Sequence, residues 1–286
     1  MTVFIWITLA VLLIYFTYVF GKDIFKHQNV LENVSIVKTT AIGFIVNFFD
    51  ALGIGAFAPQ TALLKITKQT EDRVMPGTLN VADTIPVLIQ SFVFIQMVEV
   101  EPITLLTMLL SATAGAVLGA GIVAKLAVKK IQLTMSFALV VAAFFMLAGQ
   151  MDWIQGGGEA IGLIGWKLAL AIGANFILGA LMTVGIGLYA PCMVVIYALG
   201  MSPIVAFPIM MGSCAFLMPP AAIKFIKEGA YNRKAAVTMA IPGIIAVLIA
   251  AFIVKSLPLD ILRWVVIVII MYTSVLMLRS ALNGES

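Results

Sequence analysis

Asp50 and Asp83 stand inside long apolar segments of a 286-residue chain. An ionised side chain at such a place costs about 3 kcal/mol unless it is paired, hydrated or protonated. Amides and hydroxyls surround both acids in the sequence: Asn47, Gln60 and Thr61 near the first, and Thr78, Asn80 and Thr84 near the second. No lysine or arginine is expected at their depth, so each acid is a candidate to carry a proton, Asp83 first and Asp50 second. The same carboxylates can also serve as caps or hydrogen-bonding groups where a helix breaks.

Two breaks are written into the chain. Gly53-Ile54-Gly55-Ala56-Phe57-Ala58-Pro59 recurs 132 residues later as Gly185-Ile186-Gly187-Leu188-Tyr189-Ala190-Pro191, and the same offset pairs Phe44 with Phe176 and Pro76 with Pro208. Glycine weakens a helix, and proline removes a backbone donor and disfavours helical geometry in the residue before it. Irregular backbone at membrane depth is tolerated only where protein buries it or a wet cavity borders it, and paired interrupted helices in two repeats point to a binding site. A pair of kinks used for close helix packing is the competing reading. Near the second break lie Asn175, Thr183, Tyr189 and Cys192, with Ser213 and Cys214 beyond Pro208. The second half holds Met182 and Ala215 where the first holds Asp50 and Asp83, so any coupling chemistry is one-sided.

The frame that must position these residues is apolar. Hydrophobic residues make up 63% of the chain and charged ones 10%, against about 25% charged in a soluble domain, which points to an all-α integral membrane protein. One histidine and two cysteines exclude a haem relay, a structural zinc site and a disulfide framework, and no cofactor is implied. Neither Cys192 nor Cys214 has a histidine near it in sequence; a thiol-dependent enzyme is the weaker reading, and small apolar filler the plainer one. The net charge of +4 reflects loop lysines and arginines that set orientation, not a nucleic-acid partner.

Residues 1–20 read as a retained N-terminal helix, followed by apolar segments near 34–52, 75–98, 103–124, 131–149, 161–184, 204–223, 235–255 and 260–279. The register of the two motifs divides the rest into two repeats, 34–149 and 161–279. If every segment crossed, lysine and arginine would divide 9 to 8 between the two sides. If the broken segments 34–66 and 161–200 instead return to the side they entered, the split becomes 14 to 3, with only Lys167, Lys255 and Arg263 opposite. Three crossings then remain per repeat, so the repeats are expected to be inverted, with the N-terminus outside and the C-terminus inside the cytoplasmic membrane. Ser111–Gly119 forms a small-residue face suited to close helix contact, within the bundle or between subunits of a homo-oligomer.

The paired Gly-x-Gly-x-x-x-Pro breaks, the two-repeat organisation and the size resemble the TauE/SafE sulfite-exporter family, also called the toluene sulfonate uptake permease family. The resemblance covers nearly the whole chain after the first helix. Typical members carry three successive glycines before the proline, whereas Gly53-Ile54-Gly55-Ala56 and Gly185-Ile186-Gly187-Leu188 are thinner. It implies a secondary transporter of sulfite, sulfonates, thiosulfate or related carboxylates in a lipid bilayer. Helix N-termini at a break can hold such an anion without lysine. The expected contacts are Asn47, Gly53, Gly55, Pro59, Gln60, Asn80, Asn175, Gly185, Gly187, Pro191, Cys192, Ser213 and Cys214, with Asp83 and Asp50 coupling transport to protons. A passive anion channel or an organic-acid transporter would use the same scaffold.

Overall fold

The computed structural model describes residues 2–95, 98–151, 153, 158–185, 187–202, 205–253 and 259–283. Eleven helices run through them: α1 (Thr2–Lys26), α2 (Ile36–Asp50), α3 (Phe57–Ile66), α4 (Met75–Phe94), α5 (Pro102–Val123), α6 (Val128–Gln150), α7 (Gly165–Met182), α8 (Tyr189–Ala198), α9 (Ala206–Lys227), α10 (Arg233–Ile253) and α11 (Leu259–Asn283). Five stretches, Val3–Lys26, Pro102–Val123, Gly165–Met182, Ala206–Lys227 and Arg233–Ala250, are long and apolar enough to cross a membrane. Large apolar side chains are exposed along several helices, among them Ile7, Val11 and Ile14 of α1, Leu118 and Ile122 of α5, and Ile241 and Ile245 of α10. An apolar outer surface of this extent suits lipid and not water, and the protein is an all-α membrane protein.

The first helix runs past residue 20, through Gly21 and Lys22 to Lys26. Tertiary contacts hold the extra turns: Asp23 accepts from Tyr231 Oη at 2.6 Å and from Arg233 Nε at 2.8 Å. Charge alone would have ended the helix, but paired charge at its end continues it.

Helices α2 and α3 form a hairpin, as do α7 and α8. Between α2 and α3 the chain turns through Gly53 and Gly55 at φ of +86° and +89°, and between α7 and α8 through Gly185 at +106°. Side chains rarely enter this region of backbone space, which is why glycine stands there. At the mouth of the first hairpin, the Ser35 N–H donates to Gln69 Oε1 at 2.8 Å. At the mouth of the second, Ser202 N–H donates to the Ala160 carbonyl at 2.9 Å, and Lys167 Nζ to the Leu199 carbonyl at 3.0 Å. The start and finish of each unit are thus tied together, leaving the glycine turn as its tip.

A shift of 132 residues carries α3 onto α8 at both bounds, and α2, α4, α5 and α6 onto α7, α9, α10 and α11 to within three residues. Packing follows the same correspondence. Helix α2 lies on α10 as α7 lies on α5; α5 meets α9 as α10 meets α4; α3 touches α11 as α8 touches α6; and α4 with α9, and α6 with α11, pair across the halves. Helix α9 is buried on almost every face, as a helix apolar all round should be.

Glycine permits the tightest of these contacts. A Cβ at Gly115 would stand 1.9 Å from the Phe176 carbonyl oxygen, one at Gly179 2.1 Å from that of Ala112, and one at Gly43 2.4 Å from that of Met239. Backbones this close gain the van der Waals packing that replaces the hydrophobic drive inside a bilayer. The small-residue face of α5 therefore serves the interior of the bundle, against α7.

The polar groups collect at two ends. One end joins Asp23 and Glu32 to Arg233, Lys65 to Asp72, and Lys125 to Glu228, while Gln132 donates to Asp72 at 2.8 Å. At the other end Glu101 caps α5, accepting from the N–H groups of Ile103 and Thr104 at 3.0 and 2.7 Å and from the Thr104 hydroxyl. Partial desolvation pushes the Glu101 carboxyl up, but these hydrogen bonds prevail and hold it below the usual glutamate range. Glu101 N–H also donates to Ile161, tying α5 to the approach to α7. The first hairpin opens at the charged end and the second at the Glu101 end.

Single cysteines at Lys68, Lys129 and Lys234 should be labelled by an impermeant maleimide from one side of the membrane, and one at Glu99 from the other. Native Cys192 and Cys214 are buried and should not react. Labelling of Lys68→Cys and Lys129→Cys from opposite sides would contradict the arrangement.

Candidate functional site

The glycine turn of the first hairpin places Asn47, in the last turn of α2, opposite Gln60, in the first turn of α3, and both reach Asp83 on α4. Asn47 Nδ2 donates to Asp83 Oδ1 at 3.2 Å and to the Gly43 carbonyl at 3.0 Å. With its amide nitrogen turned toward the acid, Gln60 donates to the Asp83 oxygens at 3.1 and 2.5 Å. One turn earlier on α4, Asn80 Nδ2 donates to the Pro76 carbonyl at 2.9 Å. All four side chains are fully buried. No lysine, arginine or histidine pairs with Asp83 among the described residues. The Oδ1 atoms of Asn47 and Asn80 have no hydrogen-bond partner. The amide oxygens of Gln90 and Asn175 are also buried without a partner, so these orphans are shared by other amides of the bundle.

Asp50 faces a different set of partners. Tyr189 Oη, from the first turn of α8, donates to Asp50 Oδ2 at 3.3 Å; Gln90 Nε2 donates to Tyr189 Oη at 3.2 Å. The Ala56 N–H, just before α3, also bonds to the Asp50 carboxylate. A cavity of about 20 Å³ lies here, lined by Asp50, Gly55, Ala56 and Phe57 from the first tip and by Gly187, Leu188 and Tyr189 from the second, with Val87, Met182 and Cys214 completing it. Such a space holds about one water. The first turns of α3 and α8 both border it, so free N–H groups of two helices approach one point.

The residues expected at the site are divided among several places. Gly55, Gly187, Cys214 and Asp50 line the cavity. Asn47, Gln60, Asn80 and Asp83 form the polar cluster beside it. Asn175 and Ser213 pair with each other at 3.0 Å, and Asn175 also donates to the Met108 carbonyl at 2.8 Å, which fastens α7 to α5 and α9 away from the cavity wall. Gly53 and Gly185 shape the turns, with Phe207 and Met135 packed against them. Pro59 and Pro191 sit in the first turns of α3 and α8, where a missing N–H breaks no helical bond. Cys192 is buried, and Cys214 Sγ donates to Met182 Sδ at 3.6 Å. His27 lies at the charged end, its Nδ1 2.8 Å from the Asp23 carbonyl oxygen, far in sequence and in place from both thiols. Gln90 was the residue that sequence reasoning missed; a lone glutamine in an apolar helix was its signal.

The polar cluster has no counterpart in the second half. At the positions 132 residues beyond Asn47, Gln60, Asn80 and Asp83 stand Gly179, Cys192, Gly212 and Ala215. The same helices pack in the same relations there without any of these amides or the acid. A larger hollow of about 950 Å³ opens at the charged end, bordered by Lys65, Lys68, Asp72, Arg233 and Tyr272 among others. Comparison of the chain with protein-family models, with curated proteins and with solved structures found no match in any of the three.

Ala215 stands at the scaffold position of Asp83, so the corresponding helix packs there without a carboxylate. Asp83→Asn keeps an acceptor for Asn47 and removes a buried charge. It should retain the helical circular dichroism of the native protein, with a stability equal to or up to about 3 kcal/mol above it. Loss of the fold would show that the acid is a structural strut.

Proposed function

We propose that the protein is a secondary transporter that moves a small oxyanion, of the sulfite, sulfonate or thiosulfate class, across the cytoplasmic membrane by alternating access, with no covalent chemistry of its own. The observation that carries this is the cavity where the two hairpin tips meet. Two helix N-termini from two corresponding halves converge on it, and N–H groups at a helix start favour anions. Interrupted helices meeting between repeats are the usual place for a transported substrate. The substrate class rests on the resemblance of the two Gly-x-Gly-x-x-x-Pro segments to the sulfite-exporter family.

Several features support a pair of inverted repeats with re-entrant hairpins. The five helices of each half correspond in sequence and in packing, and the two hairpin mouths are tied at opposite ends of the bundle. Helix α2 has 15 residues and spans about 22 Å, short of a hydrocarbon core of about 30 Å. The concentration of lysine and arginine at the end bearing Lys65, Lys125 and Arg233 favours that end as cytoplasmic, which sets the N-terminus outside. The 950 Å³ hollow then serves as a vestibule on the cytoplasmic side.

Two consequences follow from the cavity. At about 20 Å³ it admits no oxyanion until the hairpin tips part, which suits a gated carrier better than an open channel. Asp50 stands on its wall, and an ionised carboxylate would repel the substrate. A proton on Asp50 removes that repulsion and makes the anion's passage proton-coupled.

Purified protein in proteoliposomes should take up labelled thiosulfate, sulfite or a small sulfonate, and an imposed pH gradient should change the rate. Asp50→Asn should transport without that pH dependence. Gly187 has open space around its missing side chain, so Gly187→Leu should fill the cavity and abolish flux. Gly55, at positive φ, would be strained by any side chain and makes a poorer test. Flux of none of these anions, or full flux through Gly187→Leu, would overturn the reading.

A further inference from the structure

We propose that Asp83, Asn80, Asn47 and Gln60 form a binding site for a hard monovalent cation, sodium, beside the substrate cavity. Asp83 is fully buried and no cationic side chain pairs with it among the described residues. Some positive charge must therefore reach it. A proton could do so, but one proton supplies one donor, and two buried amide oxygens here lack partners: Oδ1 of Asn47 and Oδ1 of Asn80. The Asn47 amide stands against the acid, its Nδ2 donating to Asp83 Oδ1 at 3.2 Å, and Asn80 lies one turn before Asp83 on α4. A single cation answers the carboxylate charge and both orphan oxygens together.

The donor set selects the ion. Amide and carboxylate oxygens are hard ligands, which excludes soft metals and suits a hard cation such as sodium. Only one carboxylate belongs to the cluster, because Asp50 is engaged by Tyr189, Gln90 and Ala56. Among the described residues no group of three His, Cys, Asp or Glu side chains could hold a transition metal. Gln60 completes the cluster: its amide terminus stands 3.1 and 2.5 Å from the two carboxylate oxygens, donating through nitrogen when no ion is bound and turning its oxygen to the ion when one is. The last turn of α2, with the negative end of its helix dipole, approaches the same point.

The site lies only in the first half. Gly179, Cys192, Gly212 and Ala215 occupy the corresponding positions of the second, where the fold is built equally well without an amide or an acid. The cluster is therefore surplus to packing. It also joins moving parts to fixed ones. Asn47 and Gln60 flank the glycine turn of the first hairpin, whereas Asn80 and Asp83 belong to α4, which packs on α9 at the centre of the bundle. An ion held by both sets fastens the hairpin tip to α4, three residues of chain from the Asp50 that lines the cavity. That coupling role rests on the transporter reading above; the binding of the ion does not.

The test is a thermal-unfolding titration of the purified protein in detergent, with sodium chloride replacing choline chloride at constant ionic strength and pH. The native protein should show a saturable rise in Tm with sodium, as expected for an ion that binds only the folded state, and no comparable rise with potassium. Asp83→Asn should abolish the sodium response, and Asn80→Ala should weaken the apparent affinity about tenfold or more. Ser213→Ala, in the other half, should leave it unchanged. Equal behaviour of the native protein in sodium, potassium and choline would overturn the proposal, as would a sodium response that survives both Asp83→Asn and Asn80→Ala. Stabilisation by acid with no sodium effect would also overturn it, assigning the site to a proton. Sodium binding without any anion flux in proteoliposomes would leave this site standing and refute the transporter reading instead.

Discussion

A helix that stops inside a bilayer leaves N–H and C=O groups that lipid cannot satisfy. Both helix breaks of this protein are enclosed by protein. The glycines at positive φ turn the chain within a few residues, the hairpin mouths are closed by Ser35 with Gln69 and by Ser202 with Ala160, and the two tips are buried against each other and against α4 and α9. Protein surrounds each break, so the unpaired groups at the starts of α3 and α8 can be turned toward a cavity and not toward lipid.

Anchored mouths and broken tips divide the structure mechanically. Lys65 with Asp72, Gln132 with Asp72, and Asn232 with Gln69 hold the first hairpin at its base, and Lys167 with Leu199 holds the second. At the tips Tyr189 Oη lies 3.3 Å from Asp50 and Gln90 3.2 Å from Tyr189, while Asn47 and Gln60 hold the first tip to Asp83. The first base carries an ion pair, Lys65 with Asp72, and the tips carry none among the described residues.

Correspondence of the halves extends to helices and packing but stops at chemistry. Where the first half buries Asn47, Asp50, Gln60, Asn80 and Asp83, the second has Gly179, Met182, Cys192, Gly212 and Ala215. Buried amides and acids oppose stability unless satisfied, and the second half packs the corresponding helices without them. Asn175 and Ser213 are polar and buried in the second half and fasten three helices through the Asn175 Nδ2, while its Oδ1 also has no partner.

By itself the sequence determined the helical membrane class, the positions of both breaks and the register between the halves. Those features are local or additive: glycine and proline act on their own backbone, apolar length sets a span, and charge gathers at the ends of helices. Tertiary structure decided which polar residues meet. Gln90 reaches Tyr189 across 99 positions, Asn175 reaches Met108 across 67, and Asp23 prolongs α1 only because Arg233 and Tyr231 stand beside it. The physical reason lies in the solvent. In water an apolar stripe reveals the face that packs, but in lipid both the packed and the exposed faces of a helix are apolar, so composition alone cannot tell Gly115 pressed on Phe176 from Leu118 facing outward.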